Sequence, residues 1–146
     1  MGNVHTFNYH YKSNYGGFSS ALGGETNDLI TSATYVDMKN YDLVIGVCTA
    51  SGVVSAQTLT LQMWQATNTA GGASKTVTGA TDTYLSVATA STDVLVAQVR
   101  GEDLDVAGGF RYVGWKLTTN DTDGAEKVAG VTLQGRARYK QATLPA

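Results

Sequence analysis

The sequence predicts an all-β protein, in which an antiparallel β-sandwich or jelly-roll-like domain follows an extended N-terminal arm. The first observation is compositional: only 15% of the 146 residues are charged, and there are 17 glycines and one proline. A chain of this kind, rich in Thr, Ser, Ala and Val, favours pleated strands joined by glycine turns over helices. The second observation is that apolar and polar residues alternate with a period of two in several stretches. In total the sequence predicts about eight short strands at spacings of roughly ten to fifteen residues, which are typical of sandwiches and barrels.

The N-terminal segment, residues 1–27, differs from the rest of the chain because it shows no sustained period of either kind. Paired glycines lie there among Asn, Ser and His, together with five aromatic residues: Phe7, Tyr9, Tyr11, Tyr15 and Phe18. A polar, glycine-rich segment lacks the apolar area to become ordered alone, but these rings supply enough to become ordered against a partner. We therefore predict an extended arm whose aromatic side chains bind a partner or a neighbouring subunit. The alternative is a first, irregular strand that folds onto its own domain.

The predicted sandwich domain spans residues 28–140, and residues 141–146 follow it as a C-terminal tail. Residues 41–48 have the hydrophobic centre of a buried strand, and residues 57–65 alternate cleanly, with two leucines and a methionine facing inwards. Trp64 falls on the outward face of the latter strand, where a large exposed ring indicates a contact surface. Shorter strands are predicted at residues 33–38, 75–78 and 83–87.

Three consecutive strands in the second half of the domain are predicted to form an antiparallel meander: residues 94–100, 110–117 and 128–136. The first is apolar at nearly every position, which indicates a strand buried on both faces. In the other two, one parity is apolar and the other carries polar residues, which predicts one face in the core and one face in water. The predicted core set includes Trp115, Ala129, Val131 and Leu133, and the predicted wet set includes Lys116, Thr132 and Gln134.

A further candidate contact surface lies near the C-terminus, where three cations share one parity: Arg136, Arg138 and Lys140. In a strand this spacing places all three on one face or edge. Two interpretations are open. The charges protect an exposed sheet edge from pairing, or they meet an acidic partner. Because the formal net charge of the whole chain is −2, we predict no direct binding of nucleic acid or of an anionic membrane.

Residues suited to catalysis or metal binding are few, so we predict neither an enzyme nor a cofactor. The histidines, His5 and His10, lie in the arm without a second cysteine or a carboxylate cluster, whereas zinc normally takes about three or four protein ligands. Cys48 lies within an apolar strand, where a thiol behaves as a small hydrophobic group. The acidic residues at 102, 103 and 105 are typical of a solvated corner between strands.

Four features follow one another in an order that resembles a known group of proteins. They are the aliphatic strand at 41–47, the alternating Thr-Leu strand that ends in Gln-Ala-Thr at 65–67, the Ala-Gly-Gly-Phe-Arg-Tyr-Val motif at 107–113, and the Gly-Arg-Ala-Arg-Tyr ending at 135–139. Over residues 32–139 the chain is similar to the small β-rich structural proteins of tailed bacteriophages. Among these it looks most like the capsid decoration proteins, also called cement or auxiliary proteins.

That resemblance implies a sandwich body, often trimeric, on the exterior of the virion at three-fold or quasi-three-fold positions. It implies that the protein clamps neighbouring subunits of the major capsid protein, with extended termini that reach across the shell. We therefore expect a virion structural protein whose partners are the major capsid protein and further copies of itself, in a trimer.

Two other functions remain open. A tail or fibre-associated module would bind a tail partner or host carbohydrate, and Trp64 and Trp115 would then be stacking platforms for sugars, although the parity of Trp115 favours the core. An enzyme, such as a glycan hydrolase on a jelly-roll scaffold, would rely on Glu102, Asp103 and Asp105.

Overall fold

The structure, a computed structural model, describes residues 11–22, 29–31, 35–86, 91–120 and 126–137 of the chain. In these residues the regular structure is nine strands and two short 3₁₀ turns, so the all-β prediction is confirmed. The turns lie at Met38–Asn40 and Gly101–Asp103. The strands are β1 (Tyr11–Leu22), β2 (Leu29–Thr31), β3 (Val36–Asp37), β4 (Tyr41–Val53), β5 (Thr58–Ala66), β6 (Lys75–Leu85), β7 (Ser91–Arg100), β8 (Tyr112–Thr119) and β9 (Glu126–Ala137).

Two antiparallel sheets form the sandwich that the sequence predicts. In the first sheet the strands lie in the order β1-β9-β4-β7, and in the second sheet in the order β2-β8-β5-β6, with β3 also paired to β8. The edge strands β6 and β7 lie side by side, and β1 lies beside β2 at the opposite side of the sandwich. The buried side chains between the two sheets form one hydrophobic core.

Strands that are neighbours in sequence lie in opposite sheets in the last third of the chain. β7 belongs to the first sheet, β8 to the second and β9 to the first again, so the predicted meander of these three strands is wrong. The reason is the connection between β7 and β8, which is a 3₁₀ turn and a further loop instead of a hairpin turn. The backbone amide of Arg111 donates to the carbonyl of Ala66 at 3.1 Å, which ties this connection to the second sheet before β8 begins.

β7 is an edge strand with one wet face, so the predicted burial on both faces is also wrong. Leu95 and Val99 are buried, whereas Val94 and Val96 are 52% and 49% exposed. In a two-layer sandwich only the inner face of each sheet meets the other sheet. A run of valines therefore does not require a second covering layer within the chain.

β9 turns the opposite face inwards from the one predicted. Thr132 and Gln134 are buried, whereas Ala129 is exposed and Val131 is half-buried. The buried side-chain amide of Gln134 donates to the carbonyl of Asp37 at 2.9 Å, which compensates for the loss of water. The inward parity is the one that contains Gly130, and a shift of one residue would turn every side chain of the strand over.

Trp115 fills the centre of the sandwich, as predicted, and is 0% exposed. It extends from β8 to the first sheet, where glycines on two adjacent strands leave room for the indole ring. A Cβ atom at Gly46 would lie 3.1 Å from Cδ1 of the ring and 3.0 Å from Sδ of Met63, and one at Gly130 would lie 2.6 Å from Cη2 of the ring. These glycines are therefore required by the packing of one large side chain and not by a turn.

Gln62 holds an irregular stretch of β6. The register between β5 and β6 shifts next to this residue, and β6 contains extra residues there that cannot join a regular ladder. The side-chain nitrogen Nε2 of Gln62 lies 3.0 Å from the carbonyl oxygens of Met63, Val77 and Ala80. With its two hydrogens, this amide group donates hydrogen bonds to carbonyls along the irregular stretch.

Asp82 joins the edge strands of the two sheets. Its Oδ2 accepts a hydrogen bond of 2.8 Å from the backbone amide of Val96 on the edge of β7. At the end of the same strand, Oδ2 of Asp103 accepts a hydrogen bond of 2.7 Å from the amide of Arg100. Unpaired amides at a sheet edge invite pairing with another chain, so both carboxylates protect the edge, and Asp82 also joins the sheets.

Replacing Asp82 by alanine is expected to lower the free energy of unfolding by about 1 kcal/mol, because a charge-assisted hydrogen bond is lost at a solvent-exposed site. We also expect earlier aggregation on heating, measured by light scattering. The matched control is Asp82→Asn, which keeps an oxygen acceptor and should lose less stability in urea denaturation. An unchanged free energy of unfolding in Asp82→Ala would contradict the structural role of this contact.

Candidate interaction surfaces

The outer face of the second sheet is polar and carries Trp64 towards one end. Trp64 is half-buried and lies on the outward face of β5, as predicted. Nζ of Lys116 lies 3.4 Å from the centroid of its indole ring, a cation–π contact. A sugar could stack on this side of the ring only after the ammonium group had moved away. The rest of this surface, which we call the threonine face, is formed mainly by Thr58, Thr60, Gln62, Thr81, Thr83 and Thr118.

The outer face of the first sheet is aliphatic. Residues that oppose each other on paired strands share one face, and here Val47 lies between Val96 and Val131. Ile45 lies next to it, opposite Leu133. Among the described side chains on this surface, the one charged group is Arg100 at a corner. We call this surface the aliphatic face; it is formed mainly by Leu43, Ile45, Val47, Val94, Val96, Val131 and Leu133, and it also carries the exposed polar side chains Thr49 and Gln98.

The predicted N-terminal arm falls partly within the sheet. Tyr11, Tyr15 and Phe18 belong to β1 and are paired with Gly135, Val131 and Ala129 of β9. This placement matches the alternative interpretation, in which the segment is a strand of its own domain, and the domain boundary predicted at residue 28 therefore lies after the first strand of the sandwich. Phe7 and Tyr9 lie outside the described residues. The partner-binding role of the five aromatic side chains stays a prediction.

The cations near the C-terminus are described only in part. Arg136 lies in β9, which pairs with β1 on one side and with β4 on the other. β9 is therefore not an edge strand, and edge protection does not explain the charge at this position. Arg138 and Lys140 lie outside the described residues, so contact with an acidic partner stays a prediction.

An ordered loop at residues 104–111 is organised by Asp105. Its Oδ1 accepts a hydrogen bond of 2.9 Å from the amide of Gly108, and its Oδ2 lies 2.6 Å from Nζ of Lys75. Its own backbone amide donates to Oε1 of Gln65 at 2.8 Å. The hydrogen bond from Lys75, and then that from Gly108, hold the pKa of Asp105 below its ordinary value. The loop is thus fixed to both β5 and β6.

A cleft of about 320 Å³ opens beside this loop. Nζ of Lys75 lies 4.2 Å from the centroid of the Phe110 ring, and the guanidinium carbon of Arg111 lies 5.1 Å from that of Tyr112. Nε of Arg111 also lies 2.8 Å from Oδ1 of Asp37. Because both cations have carboxylate partners, the cleft suits an uncharged polar ligand or a protein loop better than a free anion. Its lining residues are Thr67, Val106, Gly109, Phe110, Arg111 and Tyr112.

The sequence-based predictions do not include this cleft. From the sequence alone, the Phe-Arg-Tyr motif indicates a family resemblance and not a binding site. The signal that could have indicated a site is the alternation of aromatic rings with a guanidinium directly after two glycines, since such a loop can expose rings and charge together.

The acids considered for catalysis each have a structural partner. Asp103 accepts the amide of Arg100, Glu102 forms an ion pair of 3.5 Å with the Arg100 side chain, and Asp105 binds Lys75. Cys48 is fully buried, and its burial raises the pKa of the thiol to about 12, so the reactive thiolate is rare at neutral pH.

The described residues contain no group of three or more His, Cys, Asp or Glu side chains that could hold a metal ion. In the same part of the chain, no helix is long and apolar enough to cross a membrane.

Comparison with known proteins shows a similarity of fold. No protein-family model matches the chain, and no curated protein matches it in sequence. The VP2 subviral particle of infectious bursal disease virus matches with a TM-score of 0.56 and 10% identity, over 92% of this chain and 34% of that chain. The Gx strain of the same virus matches with a TM-score of 0.53 and 9% identity, over 88% of this chain and 32% of that chain. The chain thus spans about a third of the length of these viral proteins.

A weaker match is a carbohydrate-binding module, TmCBM61, solved in complex with β-1,4-galactotriose. Its TM-score is 0.45 at 8% identity, over 90% of this chain and 93% of that chain. At such identities the similarity to either group concerns the fold alone.

Proposed function

We propose that this chain is a virion structural protein of the capsid decoration (cement) class, which binds the outer surface of a shell of major capsid protein and stabilises it. The observation that carries the proposal is the fold, a two-sheet sandwich similar to that of VP2 in a subviral particle, with a TM-score of 0.56 over 92% of the chain. The resemblance of the segments at 41–67 and 104–139 to phage decoration proteins supports the finer assignment.

The described surfaces suit a part that works by contact and not by chemistry. The candidate acids are engaged in structural contacts and the one cysteine is buried. Apolar surface is available instead, and covering it with a protein partner contributes about 25 cal/mol per Å² before the cost of association is subtracted. Small contacts of this kind, repeated over many copies, would stabilise a shell against internal pressure.

The test is a binding assay with mature shells that lack the protein. Bound copies per shell are counted by gel densitometry, and their position is determined by imaging. Saturable binding at a number tied to the three-fold or quasi-three-fold positions is the expected result. Absence of binding, with the protein found at the tail instead, would contradict the proposal.

The role of the N-terminal segment is tested in the same assay. Because Tyr11–Leu22 is a strand of the first sheet, the truncation should remove residues 1–10 only and leave β1 intact. We expect weaker shell binding, since Phe7 and Tyr9 are lost. Unchanged binding would show that these two rings do not contact the shell.

A second candidate function is a tail or fibre-associated module that binds a tail partner or host carbohydrate. The observation that favours it is Trp64 on the polar threonine face, where an aromatic ring and hydroxyl groups lie together. If the ring stacks on a sugar, Trp64→Ala should abolish binding of host surface glycans, measured by calorimetric titration. Lys116→Ala, which uncovers the ring, should strengthen it. If the wild type and the Lys116 variant both fail to bind glycans, this candidate is wrong.

A further inference from the structure

We infer that the aliphatic face packs against the same face of a second copy of this chain, in a reversible two-fold dimer. The inference goes beyond the proposed function, which does not say which surface joins copies of the protein. It also differs from the trimer that the family resemblance implies. It holds whether or not the protein binds a shell.

The first argument is the difference between the two outer faces of the sandwich. The threonine face offers hydroxyl groups that can bind water. The aliphatic face instead exposes methyl groups, and its residues at the edge, Val94 and Val96, are 52% and 49% exposed. Soluble monomers rarely expose a continuous apolar patch of more than a few hundred Å². The aliphatic face therefore gains more from a protein partner than the threonine face does.

The second argument is area. Each outward position of a sheet covers about 33 Å², given the strand spacing and the two-residue repeat. The paired positions of β4, β7 and β9 between Leu43 and Thr49 thus cover roughly 400 Å² in projection, and the relief of the side chains makes the accessible area larger. Stable complexes bury about 800 Å² on each partner. In projection the face reaches about half of that area, which suits a weak, reversible dimer and not an obligate one.

The third argument is charge, and it favours a second copy over another partner. Among its described side chains the face has one charged group, Arg100 at a corner, so these residues offer no pattern of charges that a different protein could complement. An identical face meets it without opposing like charges at the centre. Sheets also pack readily face to face, about 10 Å apart, with their aliphatic side chains interdigitating. A two-fold axis in the interface places the row of Val47, Val96 and Val131 near the same row of the partner.

The test is sedimentation equilibrium of the isolated protein from micromolar to near-millimolar concentration. We expect a monomer–dimer equilibrium in the wild type. Val96→Glu places a charge in the apolar interface and should raise the dissociation constant at least ~100-fold. Val94→Glu should act in the same way. The matched control is Leu85→Glu, which replaces an aliphatic side chain that is 57% exposed on the second sheet and should leave the equilibrium unchanged.

Circular dichroism and thermal melts show whether each variant is folded. If the valine variants do not fold, the sedimentation result of the wild type alone tests the inference. A monomer at every concentration would overturn the inference. A trimer would overturn it as well, because the face would then meet a different surface of its neighbour. An equal effect of Leu85→Glu would assign the association to another surface. Failure of shell binding by a dimeric protein would instead contradict the proposed function and leave this inference standing.

Discussion

Replacing Gly130 by alanine is expected to lower the free energy of unfolding by about 3 kcal/mol, because the added methyl group overpacks the core. The methyl carbon would lie 2.6 Å from Cη2 of Trp115 and 2.9 Å from Sγ of Cys48. The ring has little room to move aside, since it is fully buried and lies so close to Gly46 that a Cβ atom there would be 3.1 Å from its Cδ1. The expected change in stability is opposite in sign to that at an ordinary strand position, where replacing glycine by alanine raises the free energy of unfolding by roughly 0.5 to 1 kcal/mol.

Urea denaturation of a double-mutant cycle measures this effect and identifies its cause. Trp115→Leu removes the ring atoms that the new methyl group would overlap, although it costs about 3 kcal/mol itself by leaving a cavity. In that background Gly130→Ala should cost much less, and we expect a coupling energy of about 2 kcal/mol. Additive effects of the two substitutions would show that the ring does not determine the residue at position 130.

Replacing Gln62 by glutamate is expected to cost about 2 to 3 kcal/mol at neutral pH, because a carboxylate has no hydrogen to donate and its charge would face carbonyl oxygens. The native amide lies 3.0 Å from the carbonyls of Met63, Val77 and Ala80. Gln62→Leu is the matched control, since it removes the donor without adding a charge. It should cost about 1 to 2 kcal/mol, the usual penalty for unpaired and partly buried groups.

The glutamate variant should also show a dependence on pH that the leucine variant lacks. The carbonyl oxygens disfavour the charged form, so the pKa of the new side chain should lie above its ordinary value of about 4.3. An acid with a raised pKa in the folded state binds more protons when folded, and its stability therefore rises as the pH falls. Part of the lost free energy of unfolding should be recovered as the pH falls through this raised pKa towards about 4. A loss that is the same at every pH would contradict the contact with the carbonyls.

The strands could be predicted from the sequence because the alternation of apolar and polar residues is a local signal. The segments 41–48, 57–65 and 110–117 all lie in strands or begin just before them, and Trp64 and Trp115 lie on the faces predicted for them. The assignment of strands to sheets could not be predicted in this way. It depends on the path of each connection. The hydrogen bond between Arg111 and Ala66, which fixes one of these paths, joins parts of the chain that are distant in sequence.

The error in β9 has a different physical origin. Hydrophobicity favours burying Ala129, Val131 and Leu133, but the ring of Trp115 needs a position without a side chain beside it, and turning Gly130 inwards provides one. The polar Thr132 and Gln134 are buried as a consequence. Glycine carries almost no hydrophobic signal, so a pattern of apolar residues cannot show that it governs a strand. The same limit applies to the cleft beside residues 104–111, whose rings and cations come together only in the folded loop.

The contrast between the two outer faces has a consequence for any particle that this protein covers. If the aliphatic face is turned towards protein, every copy exposes its threonine face to the medium. The threonine residues of this face would be hydrated through neutral hydroxyl groups and not through ionised ones. Their hydration would then depend little on ionic strength, because hydroxyl groups carry no net charge for salt to screen.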